Sequence, residues 1–218
     1  MTKVQIDHIM WGAPDLDAGI SEAQRLFGVE AARGGSHPGL GTRNALLSLG
    51  EGVYLEIIAP DPRQPLEGTF GERLLTLDGC EIITWAASSA DLSALSLELA
   101  GHGLACRGPV RTQRATPEGD LLTWDLLFPD APGYAGTFPF FINWLETPHP
   151  ATGNPPAGSF RALTIGSPRA VELATTLTSL GLEVAVQEGA PAIAVEIDVG
   201  GSTITLESTP KSIDLRMP

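Results

Sequence analysis

Short apolar runs of the kind found in buried strands open three segments of the chain. They begin at Val4, Glu81 and Phe160, and a turn of Gly, Pro or Ser residues follows each of them. Self-similarity at this scale is typical of a supersecondary unit that recurs along the sequence. The pattern therefore predicts three units, each of which opens with a strand.

Apolar residues at helical spacing follow each turn, and they predict helices over residues 15–27, 91–100 and 169–180. Asp15 and Ser89 are the predicted N-caps, because their side-chain oxygens can accept the free amide hydrogens of a first helical turn. A glycine that can take the left-handed conformation closes each predicted helix: Gly28, Gly101 and Gly181.

Strand-like runs come after each helix. Unit one continues with residues 43–49 and 52–59, which the turn at Gly50-Glu51-Gly52 joins as a hairpin. The runs predicted for the other two units are residues 104–107, 121–128 and 140–145, and then residues 183–186, 192–199 and 203–207. Each unit therefore contains a strand, a helix and two or three further strands.

The units are expected to differ in role. Unit one (residues 4–60) and unit two (residues 80–146) form a paired core within residues 1–150, and a proline-rich linker precedes unit three (residues 159–218). The fold class that follows is α+β, with tandem β-α-β-β-β units forming a curved mixed sheet around a cleft. Unit three is a similar unit appended at the C-terminus.

The net charge of the chain limits the classes of molecule that it is expected to bind. The 218 residues include 13 Lys and Arg against 26 Asp and Glu, a formal net charge of −13. An acidic surface repels phosphate backbones and anionic lipid, so nucleic acid and membrane surfaces are not expected partners. The two cysteines show no metal-type spacing, and the N-terminal residues show no signal-peptide pattern. We expect a cytoplasmic protein with a small-molecule ligand.

The repeat resembles that of the vicinal-oxygen-chelate superfamily, which includes lactoylglutathione lyase, extradiol dioxygenases and proteins that bind or inactivate fosfomycin and bleomycin. The run from His37 to Leu49 and the run from Tyr54 to Pro60 are similar to a bacterial subgroup of glyoxalase-like proteins. The resemblance implies the fold, and it says little about the substrate because this fold supports many chemistries.

In enzymes of that superfamily, two paired units hold a divalent metal with ligands from the first and last strand of each unit. The resemblance places His8 and Glu56 at two of these positions, as ligands for Mn, Fe, Ni or Zn. Thr84 and Asn143 align with them in unit two, and neither is a strong metal ligand. Whether the site binds a metal therefore stays open, and Glu56 can instead act as a general base.

The loop over residues 34–44 combines glycines with His37, Arg43 and Asn44. Its glycines allow close approach to a ligand, and an Arg in an acidic protein is suited to bind a carboxylate or phosphate. We therefore predict Arg43 and Asn44 as substrate-binding residues. His37 is a predicted catalytic residue, and it or His149 can complete a metal shell.

Aromatic residues supply the rest of the predicted cleft. Trp85, Trp124 and Trp144 lie in or beside predicted strands, where core packing is the ordinary role of such side chains. Together with Asn143 and His149 they can also line an apolar cleft with a few polar groups, the usual form of a small-molecule site.

Besides a scaffold or oligomerisation module whose cleft is vestigial, two kinds of function remain open. The first is an enzyme of the glyoxalase or dioxygenase type, with lyase, isomerase or oxygenase chemistry at His8 and Glu56. The second is a protein that binds or sequesters a small molecule without a metal and without catalysis, as resistance proteins do. The sequence also leaves open whether the units pair within one chain or across a homodimer.

Overall fold

The computed structural model describes residues 3–116, 119 and 121–215. It contains four helices, α1 (Leu16–Phe27), α2 (Phe70–Leu74), α3 (Leu92–Gly101) and α4 (Ala170–Ser179). The strands are β1 (Val4–Gly12), β2 (Ala32–His37), β3 (Thr42–Ser48), β4 (Tyr54–Pro60), β5 (Glu81–Ser89), β6 (Cys106–Ala115), β7 (Leu121–Pro129), β8 (Phe140–Asn143), β9 (Ser159–Ser167), β10 (Ala185–Glu188), β11 (Ala192–Val199) and β12 (Ser202–Glu207).

Units one and two form one mixed sheet of eight strands within the chain. Its order is β2-β3-β4-β1-β5-β8-β7-β6, so the two units are arranged alike on either side of the antiparallel β1–β5 pair. In each unit the first strand pairs in parallel with the last, β1 with β4 and β5 with β8. The predicted α+β class with a curved mixed sheet is confirmed.

The sheet curls into a half-barrel whose edge strands, β2 and β6, contact each other. On the convex side, helices α1, α3 and α4 cover one large apolar core that includes Ile9, Trp85 and Leu95. A smaller apolar cluster, which includes Met10 and Ile142, lies on the concave side. Because both faces are covered, the strands at the centre of the sheet are apolar along most of their length.

Unit three forms a separate four-stranded sheet in the order β10-β9-β11-β12. Its first strand lies between the second and third, whereas in units one and two the first strand pairs with the last. Its apolar side belongs to the same core as the convex face of the large sheet, through Leu163, Val195 and Leu206. Unit three therefore repeats the order of elements with a different order of strands.

Helix ends follow the local sequence. Asp15 caps α1 by accepting the Ala18 amide hydrogen at 2.9 Å, and Gly28 ends it in the left-handed conformation with φ 72°. The prediction for α3 was wrong at its start, since the N-cap is Asp91, and Ser89 still belongs to β5. The Asp91 carboxylate lies one residue before the first apolar residue of the helix. It is therefore better placed than the Ser89 hydroxyl to accept an amide hydrogen of the first turn.

Two strands differ from the sequence expectation. The predicted glycine loop is partly strand β2, because Ala32–His37 pairs with β3. Strand β6 extends eight residues beyond the predicted end at residue 107 to Ala115, through a polar run that pairs with β7. The predicted linker is also ordered along β3, since the Ser48 amide donates to Pro155 and its carbonyl accepts from Ala157, both at 2.9 Å.

A glycine at the junction between the large sheet and the C-terminal segment generates the first prediction. A Cβ at Gly136 would lie 2.7 Å from the carbonyl oxygen of Ile213 and 2.8 Å from that of Ile83. We expect Gly136→Ala to lower the free energy of unfolding by about 1–3 kcal/mol, because the backbone must shift to admit the methyl group. Chemical denaturation measures this. Gly189→Ala, with no neighbour within 4 Å of the added Cβ, is the matched control, and equal loss in both variants would contradict the prediction.

Candidate functional site

The concave face of the half-barrel encloses a cavity of about 60 Å³. Its polar side chains come from both units: His8, His37, Asn44, Tyr54, Glu56, Thr112 and Arg114. Its apolar side chains include Met10, Leu46, Ile58, Trp124, Leu126, Phe140, Ile142 and Trp144. A concave, mostly apolar space with a few converging polar groups is the usual form of a small-molecule site.

A β-bulge in β1 builds the polar side of the cavity. Ile6 pairs with Ala87 and His8 with Ala86, so Asp7 is an extra residue without a partner on β5. In a regular strand, Asp7 and His8 would point to opposite faces. Here the bulge redirects the chain, and the Nδ1 of His8 lies 2.7 Å from Oδ1 of Asp7. Bulges of this kind are common beside active sites.

The Asp7 carboxylate is fully buried and has three hydrogen-bond partners. Besides His8, the indole Nε1 of Trp144 donates to its Oδ2 at 3.1 Å, and Nε2 of His149 lies 3.1 Å from the same oxygen. The Nδ1 of His149 accepts the amide hydrogen of Ala151, so its proton is on Nε2. His149 therefore donates to Asp7.

These partners keep Asp7 ionised. Burial alone would raise its pKa, but the hydrogen bonds from His149 and His8, and the charges of the two rings, lower the pKa to about 2. A carboxylate at Oδ1 fixes the proton of His8 on Nδ1. The Nε2 of a neutral His8 ring is then an acceptor.

The ring of His8 is held between aromatic side chains. It stacks on Tyr54 with ring centroids 4.6 Å apart, and Phe140 meets it edge-on at 5.4 Å. Its Nε2 lies 3.6 Å from Oε2 of Glu56. His8 and Glu56 both lie on the concave face, because His8 pairs with Tyr54 and Met10 with Glu56 in the parallel β1–β4 ladder.

Glu56 is positioned by its neighbours in unit one. The Asn44 side-chain amide donates to Oε1 at 2.8 Å, and the oxygen of the same amide accepts the Gly35 amide hydrogen at 3.0 Å. The close contact requires glycine at position 34, because a Cβ there would lie 2.2 Å from the Asn44 amide oxygen. The glycines of the predicted loop thus position Asn44, and through it Glu56.

His37 also faces this carboxylate. Its Nε2 lies 3.9 Å from Oε1 of Glu56, and its Nδ1 lies 2.9 Å from the Thr42 hydroxyl. Burial lowers the pKa of His37, the charge of Glu56 opposes this shift, and the charge of Arg114 adds to it. The cavity therefore places both His8 and His37 within 4 Å of the Glu56 carboxylate.

The remaining predicted site residues divide into two groups. Asn44, Trp124 and Trp144 line the cavity, and His149 reaches it through Asp7. The other three lie elsewhere: Trp85 is in the convex core and donates to the Thr137 carbonyl, Asn143 donates to the Ala90 carbonyl, and Arg43 lines a separate groove.

Sequence reasoning missed Asp7, Tyr54 and Arg114. An acidic residue next to His8 inside an apolar strand was a usable signal, because a buried acid needs partners. Arg114 carried no comparable signal, since it is one of three arginines in a polar run. Its position in the cavity depends on the length of β6, and the strand predicted from the sequence was too short to include it.

The donor set does not fit a tightly held metal. His8 and Glu56 are adjacent, but Thr84 donates its hydroxyl to the Gly136 carbonyl and Asn143 is committed to Ala90. Within the described residues, no group of three or more His, Cys, Asp and Glu side chains has a geometry that could hold a metal ion. Structural and catalytic metal sites usually need three or four protein ligands.

A family model described as a glyoxalase-like domain matches residues 6–181. A search of curated proteins finds no match. None of the described helices is long and apolar enough to cross a bilayer.

Several solved structures are similar in fold. A hypothetical protein from Staphylococcus aureus is 16% identical over 94% of this chain and 85% of its own, with a TM-score of 0.66. A methylmalonyl-CoA epimerase is 18% identical over 67% of this chain and 99% of its own, with a TM-score of 0.50. The epimerase from Mycobacterium tuberculosis is 22% identical over 63% and 85%, with a TM-score of 0.48. At these identities the likeness is one of fold.

The lowered pKa of Asp7 generates a prediction about acid stability. The pKa falls from 3.8 to about 2 on folding, so ionised Asp7 stabilises the fold above pH 4 and this contribution is lost as the pH falls towards 2. The shift corresponds to about 2 kcal/mol. We expect Asp7→Asn to reduce the pH dependence of the unfolding free energy between pH 5 and 2 by about that amount. Urea denaturation across this range measures it, with Asp130→Asn, at an exposed position, as control. An unchanged profile in Asp7→Asn would contradict the assignment.

Proposed function

This chain belongs to the glyoxalase-like domain family, in the vicinal-oxygen-chelate superfamily, and on that premise we propose that it is an enzyme that moves a proton on a small carbonyl compound. The observation that carries the proposal is the contact series from Asp7 to His8 to Glu56, at 2.7 Å and 3.6 Å, on the wall of a small cavity. Isomerisation and lyase reactions of carbonyl compounds both begin with such a proton transfer.

The role of His8 follows from its two nitrogen atoms. The buried, ionised Asp7 accepts the Nδ1 proton, so Nε2 is available to take a proton from a bound molecule. The same carboxylate stabilises the imidazolium that forms, as the acid does in a Ser-His-Asp triad. Asp7 is a positioning residue here, and His8 is the proposed acid–base group.

Glu56 supplies a second group on the same side of the cavity. Asn44 donates to one of its oxygens, which leaves the other facing His8. A reaction that removes a proton at one atom and returns one at another needs two such groups. His37, with a lowered pKa, is a further candidate for the neutral partner.

A divalent metal on His8 and Glu56 is the alternative route to the same chemistry. Mn, Fe, Ni or Zn would polarise a substrate oxygen there, with His37 as the nearest third donor. The bond of Asn44 to Glu56 and the lack of a ligand from Thr84 or Asn143 favour the metal-free route.

Binding without catalysis is the second candidate function. The observation that favours it is the apolar wall formed by Trp124, Leu126, Phe140 and Ile142, which suits sequestration of a small molecule.

We also propose a cytoplasmic location, which two free cysteines support. Burial raises the pKa of Cys80 to about 11, so its side chain stays a thiol.

Isotope exchange tests the catalytic proposal. We expect the wild-type protein to exchange carbon-bound hydrogen next to the carbonyl of small 2-oxo acids or aldehydes in D₂O, followed by proton NMR. His8→Gln and Glu56→Gln should each slow the exchange by about 10²–10⁴-fold, because each removes a proton-transfer group. His102→Gln, at the exposed end of α3, is the control and should exchange as the wild type does. Exchange at the wild-type rate in both cavity variants would sink the proposal, and absence of exchange with retained binding would favour sequestration.

Metal analysis separates the two routes. We expect the purified, untagged protein to contain well under one equivalent of Mn, Fe, Ni and Zn, and the exchange activity to survive treatment with EDTA. The reason is that, among the described residues, the nearest candidate ligands are His8, His37 and Glu56, and Glu56 is already hydrogen-bonded. One equivalent of metal that is lost in both His8→Ala and Glu56→Ala would establish the metal route instead.

A further inference from the structure

Arg114 is a buried cation that has no bonded partner among the described residues. It lies on β6, lines the cavity, and is 7% exposed. Within residues 3–116, 119 and 121–215, its guanidinium makes no hydrogen bond and no ion pair within 4 Å, and its nitrogens keep a small contact with solvent. Buried polar groups in folded proteins nearly always have a partner, so an exception calls for an explanation.

The electrostatic surroundings do not supply that explanation. Burial lowers the pKa of Arg114, and the charge of Glu56 opposes this shift only from a distance. The buried acids of the cavity region have bonded partners of their own, since Asp7 has His8, His149 and Trp144, and Asp61 has Ser36 and Arg63. Arg114 thus lines the cavity without a hydrogen-bond acceptor among the residues that the structure describes.

We propose that Arg114 binds the carboxylate of a small, otherwise apolar ligand. The planar guanidinium matches a carboxylate in a two-bond arrangement. The rest of the ligand would pack on the side chains that β7 and β8 place beside Arg114, which include Trp124, Leu126 and Ile142. The apolar lining of the cavity favours a carboxylate that carries a hydrocarbon group over a fully polar anion such as phosphate. The inference names a substrate class for the proposed function, and it rests on that function only in saying that the ligand is turned over.

A groove outside the cavity supports an anionic ligand. It has a volume of about 610 Å³, and Arg33, Arg43 and Arg63 line it. Asn44 lines both the groove and the cavity, and a Cβ at Gly34 in the groove would lie 3.4 Å from an Arg114 nitrogen. The groove therefore adjoins the Arg114 end of the cavity.

This groove concentrates positive charge in an acidic protein. Only 13 of the 218 residues are Lys or Arg, and three of them meet here. Arg33 and Arg63 are paired with Asp17 and Asp61. A terminal nitrogen of Arg43 lies 3.9 Å from Asp15, while its buried Nε has no hydrogen-bond partner within the described part of the chain. Local positive charge raises the encounter rate of an anion that the overall charge would repel.

Binding of matched probes tests the inference. The probes are 3-methylbutanoate and its neutral isostere 3-methylbutanamide, with inorganic phosphate as a third arm, measured by calorimetry and by tryptophan fluorescence. We expect the wild type to bind the carboxylate more tightly than the amide, and Arg114→Met to weaken carboxylate binding at least tenfold while leaving amide binding unchanged. Arg111→Met is the matched control, because Arg111 lies on the same strand, is exposed and pairs with Asp125.

Thermal unfolding without any probe gives a second readout. If Arg114 serves a ligand, Arg114→Met should be at least as stable as the wild type, because it removes a buried, unpaired charge. If Arg114 instead holds the fold together, the variant should melt at a lower temperature. A lower melting temperature with unchanged carboxylate binding would overturn the inference.

The remaining outcomes also decide the matter. Equal affinity of the wild type for acid and amide, tighter binding of phosphate, or no binding of either 3-methylbutanoate or its shorter homologues would each overturn the carboxylate assignment. Carboxylate binding that depends on Arg114, in a protein with no hydrogen exchange, would support this inference and reject the proposed proton transfer.

Discussion

The arrangement of side chains around the cavity depends on one buried carboxylate, that of Asp7. An ionised group that is cut off from water needs donors, and leaving it without them costs far more than any one hydrogen bond returns. The chain meets this need with a neighbour, His8, and with Trp144 and His149, which are 137 and 142 residues away. The first strand of unit one is thereby joined to the segment that follows unit two. The half-barrel and the chemistry of its cavity depend on the same interaction.

Much of the architecture can be predicted from the sequence because local rules and tertiary packing agree there. The Asp15 cap, the helix that ends at Gly28 and the apolar strand β1 need no knowledge of the rest of the chain. Strands β2 and β6 were missed or shortened because their residues are glycine-rich or polar. Their stability comes from pairing with β3 and β7, and propensity carries little information about such strands.

The residues of the candidate site could likewise be predicted only in part. His8 and Glu56 could be predicted because they occupy the first and last strands of a recognisable unit, and the structure places them 3.6 Å apart. Asn143 was aligned with Glu56, yet β8 directs Phe140 and Ile142 into the cavity. An alignment error of one residue reverses the face of a strand. Arg114 could not be predicted, because its burial results from the contact between the two edge strands.

The two units of the large sheet are arranged alike, but they line the cavity differently. Unit one contributes His8 and Glu56, whereas β8 of unit two contributes Phe140 and Ile142. A flat molecule that spans this space would meet His8 and Glu56 on one side and hydrocarbon on the other. Its two faces are therefore inequivalent as soon as it is held at one end. A symmetric scaffold with an asymmetric lining is a chiral environment, and the handedness of any product formed there would be decided by the side from which His8 approaches.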